Sequence, residues 1–320
     1  MFKLSFSKKT SFAIKTGISF LFIAWLVYKV KWGSVWENVR HMQLNYLLWY
    51  VVFVLLGMLV SAKKWQFIAR FKGFQRTVFG CFRAYLTGTF INNFLPGFIG
   101  GDMFRAYWLG KQRDGYTPAI STVIFDRLSG LFAATVLAVA FSLMRFHTVI
   151  QSSVWTLFVV MLIILIIGVV FWGTVWKYVN DNTIVQSIVR ALPRKLQIFL
   201  NEVRNYFRED ILFPAIGFSL VFNMLGVGIA NLLLFQAFGQ TIPVMDFFAV
   251  IFLVNIISSV PISVNNIGIK EWAYFTFFTL IHINPEVAIT VAIVGRFMQM
   301  LLSFFALPDF LHRKRIVTEV

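Results

Sequence analysis

Long apolar runs separated by short polar stretches dominate the sequence. A helix needs about 20 apolar residues to cross the hydrocarbon layer of a bilayer. Six runs approach or exceed that length and predict full spans, and they are 12–28, 45–62, 117–144, 154–176, 211–238 and 287–307. We therefore predict an all-α, polytopic integral membrane protein, folded as a single transmembrane domain over residues 1–320.

Two further apolar stretches, 78–99 and 243–269, are interrupted by residues that break helices. Proline removes a backbone donor, and broken backbone survives at membrane depth only where protein or a watery cavity satisfies its polar groups. We therefore predict two re-entrant helical hairpins. The structural residues assigned to the hairpins are Pro96, Gly100, Gly101, Pro261 and Gly268.

The charges favour this arrangement. Only 13% of the residues are charged, against about 25% in a typical soluble protein, and 59% are hydrophobic. The 29 basic residues outnumber the 13 acidic ones, and they cluster in short connections, as cytoplasmic loops do. With both broken segments re-entrant, the N-terminus, the C-terminus and the basic stretch 177–208 are cytoplasmic. Two full crossings instead would place 177–208 outside, whereas the connection 29–41 is an exception in either arrangement.

Membrane lipids are therefore the expected partners, and nucleic acid is not expected. Within the basic stretch, residues 183–208 carry apolar positions at helical spacing with arginines between them. This pattern predicts an amphipathic helix on the cytoplasmic membrane surface, and a solvated linker helix explains it equally well. The single cysteine, Cys81, excludes an internal disulfide and a cysteine-rich zinc site, and we expect no cofactor.

The two broken segments resemble each other. Asp102 in the first and Glu271 in the second are each followed by an arginine, Arg127 or Arg296, and the spacing from acid to arginine is the same in both. Under the predicted topology, the two halves enter the membrane from opposite sides. The sequence therefore predicts an inverted-topology repeat, with repeat 1 at about 12–144 and repeat 2 at about 154–307. Chance is the alternative, because breaks of proline and glycine are common.

Ionisable groups inside a span are costly unless they are paired or hydrated, so each is a functional candidate. The planar guanidinium groups of Arg127 and Arg296 match the oxygens of a lipid phosphate. The alternative is structural pairing, of Arg127 with Asp102 and of Arg296 with Glu271. A helix predicted to begin near Met103 would be capped by Asp102, leaving glycine N–H groups to face an anion.

Amide side chains also reach membrane depth in both broken segments. They would hydrogen-bond a sugar or glycerol headgroup, or else satisfy broken backbone. The residues assigned to substrate binding are Arg127, Arg296, Asp102, Glu271, Arg105, Asn93 and Asn265. The four histidines have no metal-site spacing and no catalytic triad is evident, so we expect neither a metal site nor an enzyme.

At these residues the sequence resembles a known family. The run from Asn93 to Arg105, the run Asp126-Arg127-Leu128-Ser129-Gly130 and the run from Pro261 to Glu271 are similar to the lysylphosphatidylglycerol synthetase transmembrane family. This is the flippase-like membrane domain of the multiple-peptide-resistance proteins, which also occurs alone and, in some cases, near polyprenyl-phosphate glycosylation. One departure is Asn265-Asn266, where a glycine pair is expected, so the shape of the second hairpin tip stays open.

The resemblance implies an integral membrane protein of the flippase-like type. In the two-domain relatives, a separate soluble domain aminoacylates the lipid. The chain ends at Val320, so that domain and lipid lysinylation are not expected. We predict a transporter of an anionic phospholipid or a polyprenyl-phosphate-linked sugar, in a bacterial inner membrane. The alternatives are a membrane glycosyltransferase or synthetase acting on a polyprenyl phosphate, and a non-transporting partner of such an enzyme.

Overall fold

The structure is a computed structural model, and it describes residues 30–94, 99–112, 115–144, 205–259 and 266–308, with isolated positions at 17–28 and 159–202. In these ranges the regular secondary structure is helical, and no strand occurs. Several predictions fall wholly or mostly outside the described residues, namely the spans 12–28 and 154–176, the helix 183–208, Pro96, Pro261 and Asn265.

The α-helices of the described ranges are α1 (Trp32–Arg40), α2 (Leu44–Phe71), α3 (Val78–Phe94), α4 (Ile99–Gly110), α5 (Tyr116–Met144), α6 (Glu209–Phe222), α7 (Ala230–Ala237), α8 (Val244–Ser259), α9 (Ile269–Thr279) and α10 (Pro285–Ser303). A π-helical turn, Asn223–Ile229, joins α6 to α7, and a 3₁₀ turn, Phe304–Ala306, extends α10. Asn284 caps α10, because its Oδ1 accepts a hydrogen bond from the N–H of Glu286 at 2.8 Å.

Four helices are long and apolar enough to cross a membrane, and they match four of the predicted spans: Leu44–Phe71, Tyr116–Met144, Asp210–Ala237 and Pro285–Ala306. The chain is therefore a multi-pass, all-helical membrane protein. The first of these helices is longer than the predicted span, because α2 continues past Ala62 to Phe71. Its last two turns remain helical because Lys64, Trp65 and Ile68 are buried against neighbouring helices.

The two interrupted stretches form two antiparallel helix pairs. In the first pair, α3 and α4, the open ends meet where Arg76 Nη2 donates to the Trp108 carbonyl at 3.0 Å. In the second pair, α8 and α9, the rings of Phe247 and Phe278 are 5.7 Å apart near the open end. Asn266 Nδ2 donates to the Ser258 carbonyl at the opposite end of that pair.

The helix α2 runs antiparallel to the helix Asp210–Ala237. At one end the Gln43 N–H donates to the Ala237 carbonyl at 2.8 Å, and at the other end Ile68 and Ile211 belong to one buried cluster. In the middle the two helices cross at Gly57 and Gly226. The two helix pairs pack on either side of this crossing, α3 and α4 against α2 and α5, and α8 and α9 against α5 and α10.

Candidate functional site

Two cavities meet between the helix pairs. Cavity 1, beside α8 and α9, has a volume of about 360 Å³, and cavity 2, beside α3 and α4, has a volume of about 450 Å³. The residues that line both cavities are Thr89, Asn92, Asn255 and Ser259. Because Thr89 and Asn92 lie on α3 and Asn255 and Ser259 on α8, the boundary between the cavities is formed by both helix pairs.

Asp102 and Arg127 form an ion pair in cavity 2. Arg127 Nε contacts Asp102 Oδ2, and Arg105 Nη1 lies 3.5 Å from Asp102 Oδ1. The prediction that Asp102 caps a helix is wrong, because α4 already begins at Ile99 and places Asp102 in its first turn. Its carboxylate contacts two arginines, and such charged contacts are stronger than a hydrogen bond to a backbone N–H.

Gly100 and Gly101 lie in the first turn of α4, where backbone N–H groups find no acceptor within the helix. The Gly101 N–H donates to Asn92 Oδ1 at 2.7 Å, so it faces α3 and no anion. A Cβ on Gly101 would collide with the Gly88 carbonyl oxygen. Close packing of α3 on α4 therefore explains the glycine at position 101.

Glu271 and Arg296 form the corresponding pair beside cavity 1. Arg296 Nε lies 2.8 Å from Glu271 Oε1, and Arg296 Nη2 donates to the Asn266 carbonyl at 3.0 Å. Glu271 Oε2 also accepts the N–H of Gly268 at 2.7 Å, which closes the first turn of α9. Gly268 has a φ of 86°, a left-handed conformation that favours glycine, so its predicted structural role agrees with the geometry.

Both acid–arginine pairs that the sequence offered as structural pairings are therefore present. Pairing leaves the arginines reachable, because the side chains of Arg127 and Arg296 are 41% and 28% exposed. Their assignment to substrate binding stays a prediction.

A second charge cluster, which sequence reasoning missed, lies in the wall of cavity 2. Asp126 Oδ1 lies 3.0 Å from Lys64 Nζ, and Asp126 Oδ2 lies 2.7 Å from Arg105 Nη2. The Tyr85 hydroxyl donates a hydrogen bond to the same carboxylate, and the centre of its ring lies 3.7 Å from the Arg105 guanidinium carbon. Lys64 and Asp126 are only 2% and 4% exposed, so each charge requires the other as a partner.

The cluster connects helices from both halves of the chain. Lys64 Nζ also donates to the hydroxyl of Ser219 on α6 at 3.0 Å and to the carbonyl of Asp126 on α5 at 2.8 Å. By hydropathy alone the apolar run ends at residue 62, so Lys64 was assigned to the polar connection that follows. The only sequence signal was Asp126 inside an apolar span, an acid that requires a cation from another helix.

Each cavity carries one positive charge in excess when the described residues that line it are counted together with the acids paired to them. Cavity 2 is lined by the cations Lys64, Arg105 and Arg127 and by the carboxylates of Asp102 and Asp126. Cavity 1 is lined by Lys270 and Arg296, and the acid counted with them is Glu271, which pairs with Arg296 but does not itself line the cavity. Lys270 forms no ion pair within the described part of the chain, and its ammonium lies 5.7 Å from the ring of Tyr274.

A family model described as lysylphosphatidylglycerol synthase TM region matches residues 12–306. The chain belongs to this family. No curated protein and no solved structure was found to match the chain. Family membership makes this a membrane protein related to lipid metabolism or transport.

The remaining predicted residues of this lysylphosphatidylglycerol synthase TM region protein are placed as follows. Asn93 lines cavity 1, where its Nδ2 donates to Ser303 Oγ at 2.7 Å and links α3 to α10. Arg105 lines cavity 2 but is buried behind Asp102. Among the described residues, no three histidine, cysteine or acidic side chains come together as metal ligands.

Proposed function

We propose that this protein moves an anionic lipid across the bilayer, with the headgroup travelling through the two joined cavities. The observation that carries the proposal is the single excess positive charge in each cavity. A phosphodiester carries one negative charge, so one lipid phosphate would neutralise either cavity. Arginine is suited to this task because its fork of N–H donors matches phosphate oxygens.

The lengths of the helix pairs support a re-entrant arrangement. The second helices, α4 and α9, have 12 and 11 residues. At about 1.5 Å per residue they are about 18 and 16 Å long, well short of the roughly 30 Å hydrocarbon layer. A pair that enters and leaves on one side would bring its turn near the middle of the membrane.

Three pairs of residues support an inverted repeat. Gly57 and Gly226, Asp102 and Glu271, and Arg127 and Arg296 are all separated by the same offset along the chain. Because the helices that carry Gly57 and Gly226 are antiparallel at their crossing, two halves equivalent at this offset would lie in opposite orientations. Transporters use such repeats to open a central site alternately to each side by rocking one half against the other.

The acid–arginine pairs suggest how a phosphate would be passed along. Asp102 pairs with Arg127, and Glu271 pairs with Arg296. An arriving phosphate would compete with each carboxylate for its arginine, and the excess positive charge of the cavity would balance the added negative charge. We place the protein in a bacterial inner membrane with cytoplasmic termini, acting as a transporter and not as an enzyme, alone or beside a lipid-modifying enzyme.

A reconstitution experiment tests the proposal. Purified protein is placed in liposomes with a fluorescent short-chain phosphatidylglycerol, and flipping is followed by quenching of the outer leaflet with dithionite. Arg127→Ala and Arg296→Ala are expected to slow flipping about tenfold or more, because a charged hydrogen bond contributes about 1.5–3 kcal/mol. Arg70→Ala is the matched control, since Arg70 is exposed on α2 and lines neither cavity.

Protein that elutes as one species by size exclusion, and that unfolds at the wild-type temperature, confirms that the variants are folded. Flipping at wild-type rates in both arginine variants would contradict the proposal. Flipping no faster than in protein-free liposomes by the wild-type protein would contradict it as well.

A further inference from the structure

Cavity 1 contains a set of amide side chains that the phosphate does not require. Asn93, Asn231 and Asn266 line cavity 1 alone, while Asn92 and Asn255 line both cavities. An amide group both donates and accepts hydrogen bonds and carries no charge. Such groups suit a ligand with several hydroxyls, since each hydroxyl also donates and accepts.

Two polar atoms at cavity 1 lack partners. Within the described residues, neither Asn266 Oδ1 nor Ser258 Oγ makes a hydrogen bond, although each atom is buried. Asn266 is only 5% exposed and is held by its other amide atom, which donates to the Ser258 carbonyl. Buried polar groups are nearly always paired, so two orphaned atoms in one cavity indicate a place where a ligand supplies hydrogen bonds.

We propose that cavity 1 is a subsite for an uncharged polyhydroxylated headgroup, a sugar or a glycerol, of the lipid whose phosphate lies in cavity 2. The inference rests on the proposed function and narrows its substrate class. The volume of cavity 1, about 360 Å³, falls within the range of about 300–1,000 Å³ that is usual for small-ligand sites.

The positive charges of cavity 1 disfavour a cationic headgroup. An aminoacyl headgroup carries an ammonium, which would meet Lys270 and the guanidinium of Arg296. Placing like charges together is a common way to reject a competing ligand. A neutral polyol meets no such repulsion, so cavity 1 discriminates by charge as well as by hydrogen bonding.

Four test lipids with identical fluorescent chains separate the headgroup from the phosphate. Phosphatidylmethanol has the phosphodiester without hydroxyls, phosphatidylglycerol and phosphatidylinositol add hydroxyls, and lysylphosphatidylglycerol adds ammonium groups. Wild-type protein is expected to flip a hydroxyl-bearing lipid about three- to tenfold faster than phosphatidylmethanol, about the factor that a neutral hydrogen bond contributes. Lysylphosphatidylglycerol is expected to be slowest. The faster of the glycerol and inositol lipids identifies the type of polyol.

Two variants locate the preference in cavity 1. Ser258→Ala removes a hydroxyl that has no partner within the described chain, so the fold loses no hydrogen bond there. Asn266→Gly removes the orphaned amide oxygen together with the Nδ2 that donates to the Ser258 carbonyl, and glycine tolerates the φ of 53° at this position. Both variants are expected to remove the preference for hydroxyl-bearing lipids, and Ser258→Ala is also expected to leave phosphatidylmethanol flipping unchanged. Ser142→Ala is the control, since Ser142 is buried but lines neither cavity.

The outcomes separate the two proposals. Equal flipping of all four lipids by the wild-type protein overturns the polyol subsite and leaves lipid transport standing. Equal slowing of all four lipids by Ser258→Ala would also overturn the polyol subsite and leave lipid transport standing. No flipping of any lipid above the protein-free level overturns the proposed function and this inference with it.

Discussion

Gly57 and Gly226 lie in contact where α2 crosses the helix Asp210–Ala237. A Cβ added to Gly57 would stand 2.6 Å from the Cα of Gly226, closer than real side chains approach a backbone. Small residues at such crossings let two membrane helices pack backbone to backbone, where dispersion contacts replace the hydrophobic effect. The close crossing of these two helices therefore depends on two positions without side chains.

Gly57→Ala is therefore expected to destabilise the protein by about 1–3 kcal/mol, because the crossing helices must separate to admit the methyl group. Reversible unfolding in mixed detergent micelles measures the change. Gly217→Ala is the matched control, since no atom lies within 4 Å of a Cβ at that position. Equal stability of the two variants would contradict the close approach.

Substituting Asp126 tests the buried cluster. Asp126→Asn keeps the shape of the side chain but leaves Lys64 and Arg105 without their shared counter-charge. The expected loss is about 3–5 kcal/mol, the usual cost of breaking a buried ion pair from one side.

Thermal unfolding of the purified protein measures this loss. Asp210→Asn is the control, because Asp210 pairs with Arg208 in an exposed position and should change stability by less than about 1 kcal/mol. Adding Lys64→Met to Asp126→Asn should recover part of the loss, since one of the stranded cations is removed. A similar stability for Asp126→Asn and Asp210→Asn would refute the charge argument.

Hydropathy was enough to predict four helices of membrane-spanning length but not the contacts between them. The runs 45–62, 117–144, 211–238 and 287–307 were predictable because the bilayer imposes a length that any apolar helix must meet. The position of Lys64 was not predictable in this way. Its charge is tolerated only because Asp126, which lies on a different helix, meets it inside the bundle.

The candidate site was also predictable in part. The pairings of Arg127 with Asp102 and of Arg296 with Glu271 were predictable, since each repeats at a fixed spacing and an intramembrane arginine requires an acid. The role of Asp102 within α4 was not. Whether a helix begins at residue 99 or 103 depends on how closely Gly101 approaches α3, which is a tertiary contact.

A double-mutant cycle tests the pair beside cavity 1. Glu271→Gln, Arg296→Gln and the double variant are compared by unfolding, and the expected coupling is about 0.5–3 kcal/mol. The amide oxygen that Glu271→Gln introduces can still accept the Gly268 N–H, so the turn before α9 is preserved.

The pair Lys31–Glu286, in which the lysine is exposed and the charged atoms are 4.0 Å apart, is the control and should show a coupling below about 1 kcal/mol. If both pairs couple equally weakly, the contact between Arg296 and Glu271 contributes nothing measurable to the fold.

Chemical labelling tests the orientation of the two helix pairs. In a background with Cys81→Ala, single cysteines replace exposed residues at the open ends, Gln75 and Lys111 for the first pair, and Thr241 and Leu280 for the second. Membrane-impermeant maleimide, applied to sealed cells or to inverted vesicles, is expected to reach the first two positions from the cytoplasmic side. The other two should react from the opposite side.

The experiment compares the two positions within a helix pair, and it compares one pair with the other. Gln75 and Lys111 would react from opposite sides if the segment between them crossed the membrane once, contrary to the hydrogen bond between Gln112 Nε2 and the Gln75 carbonyl at 2.9 Å. Reaction of all four cysteines from one side would instead contradict the inversion alone. In that case both helix pairs would open to the same side of the membrane. A lipid phosphate that entered from that side would then find no matching opening on the other side, which is contrary to transport.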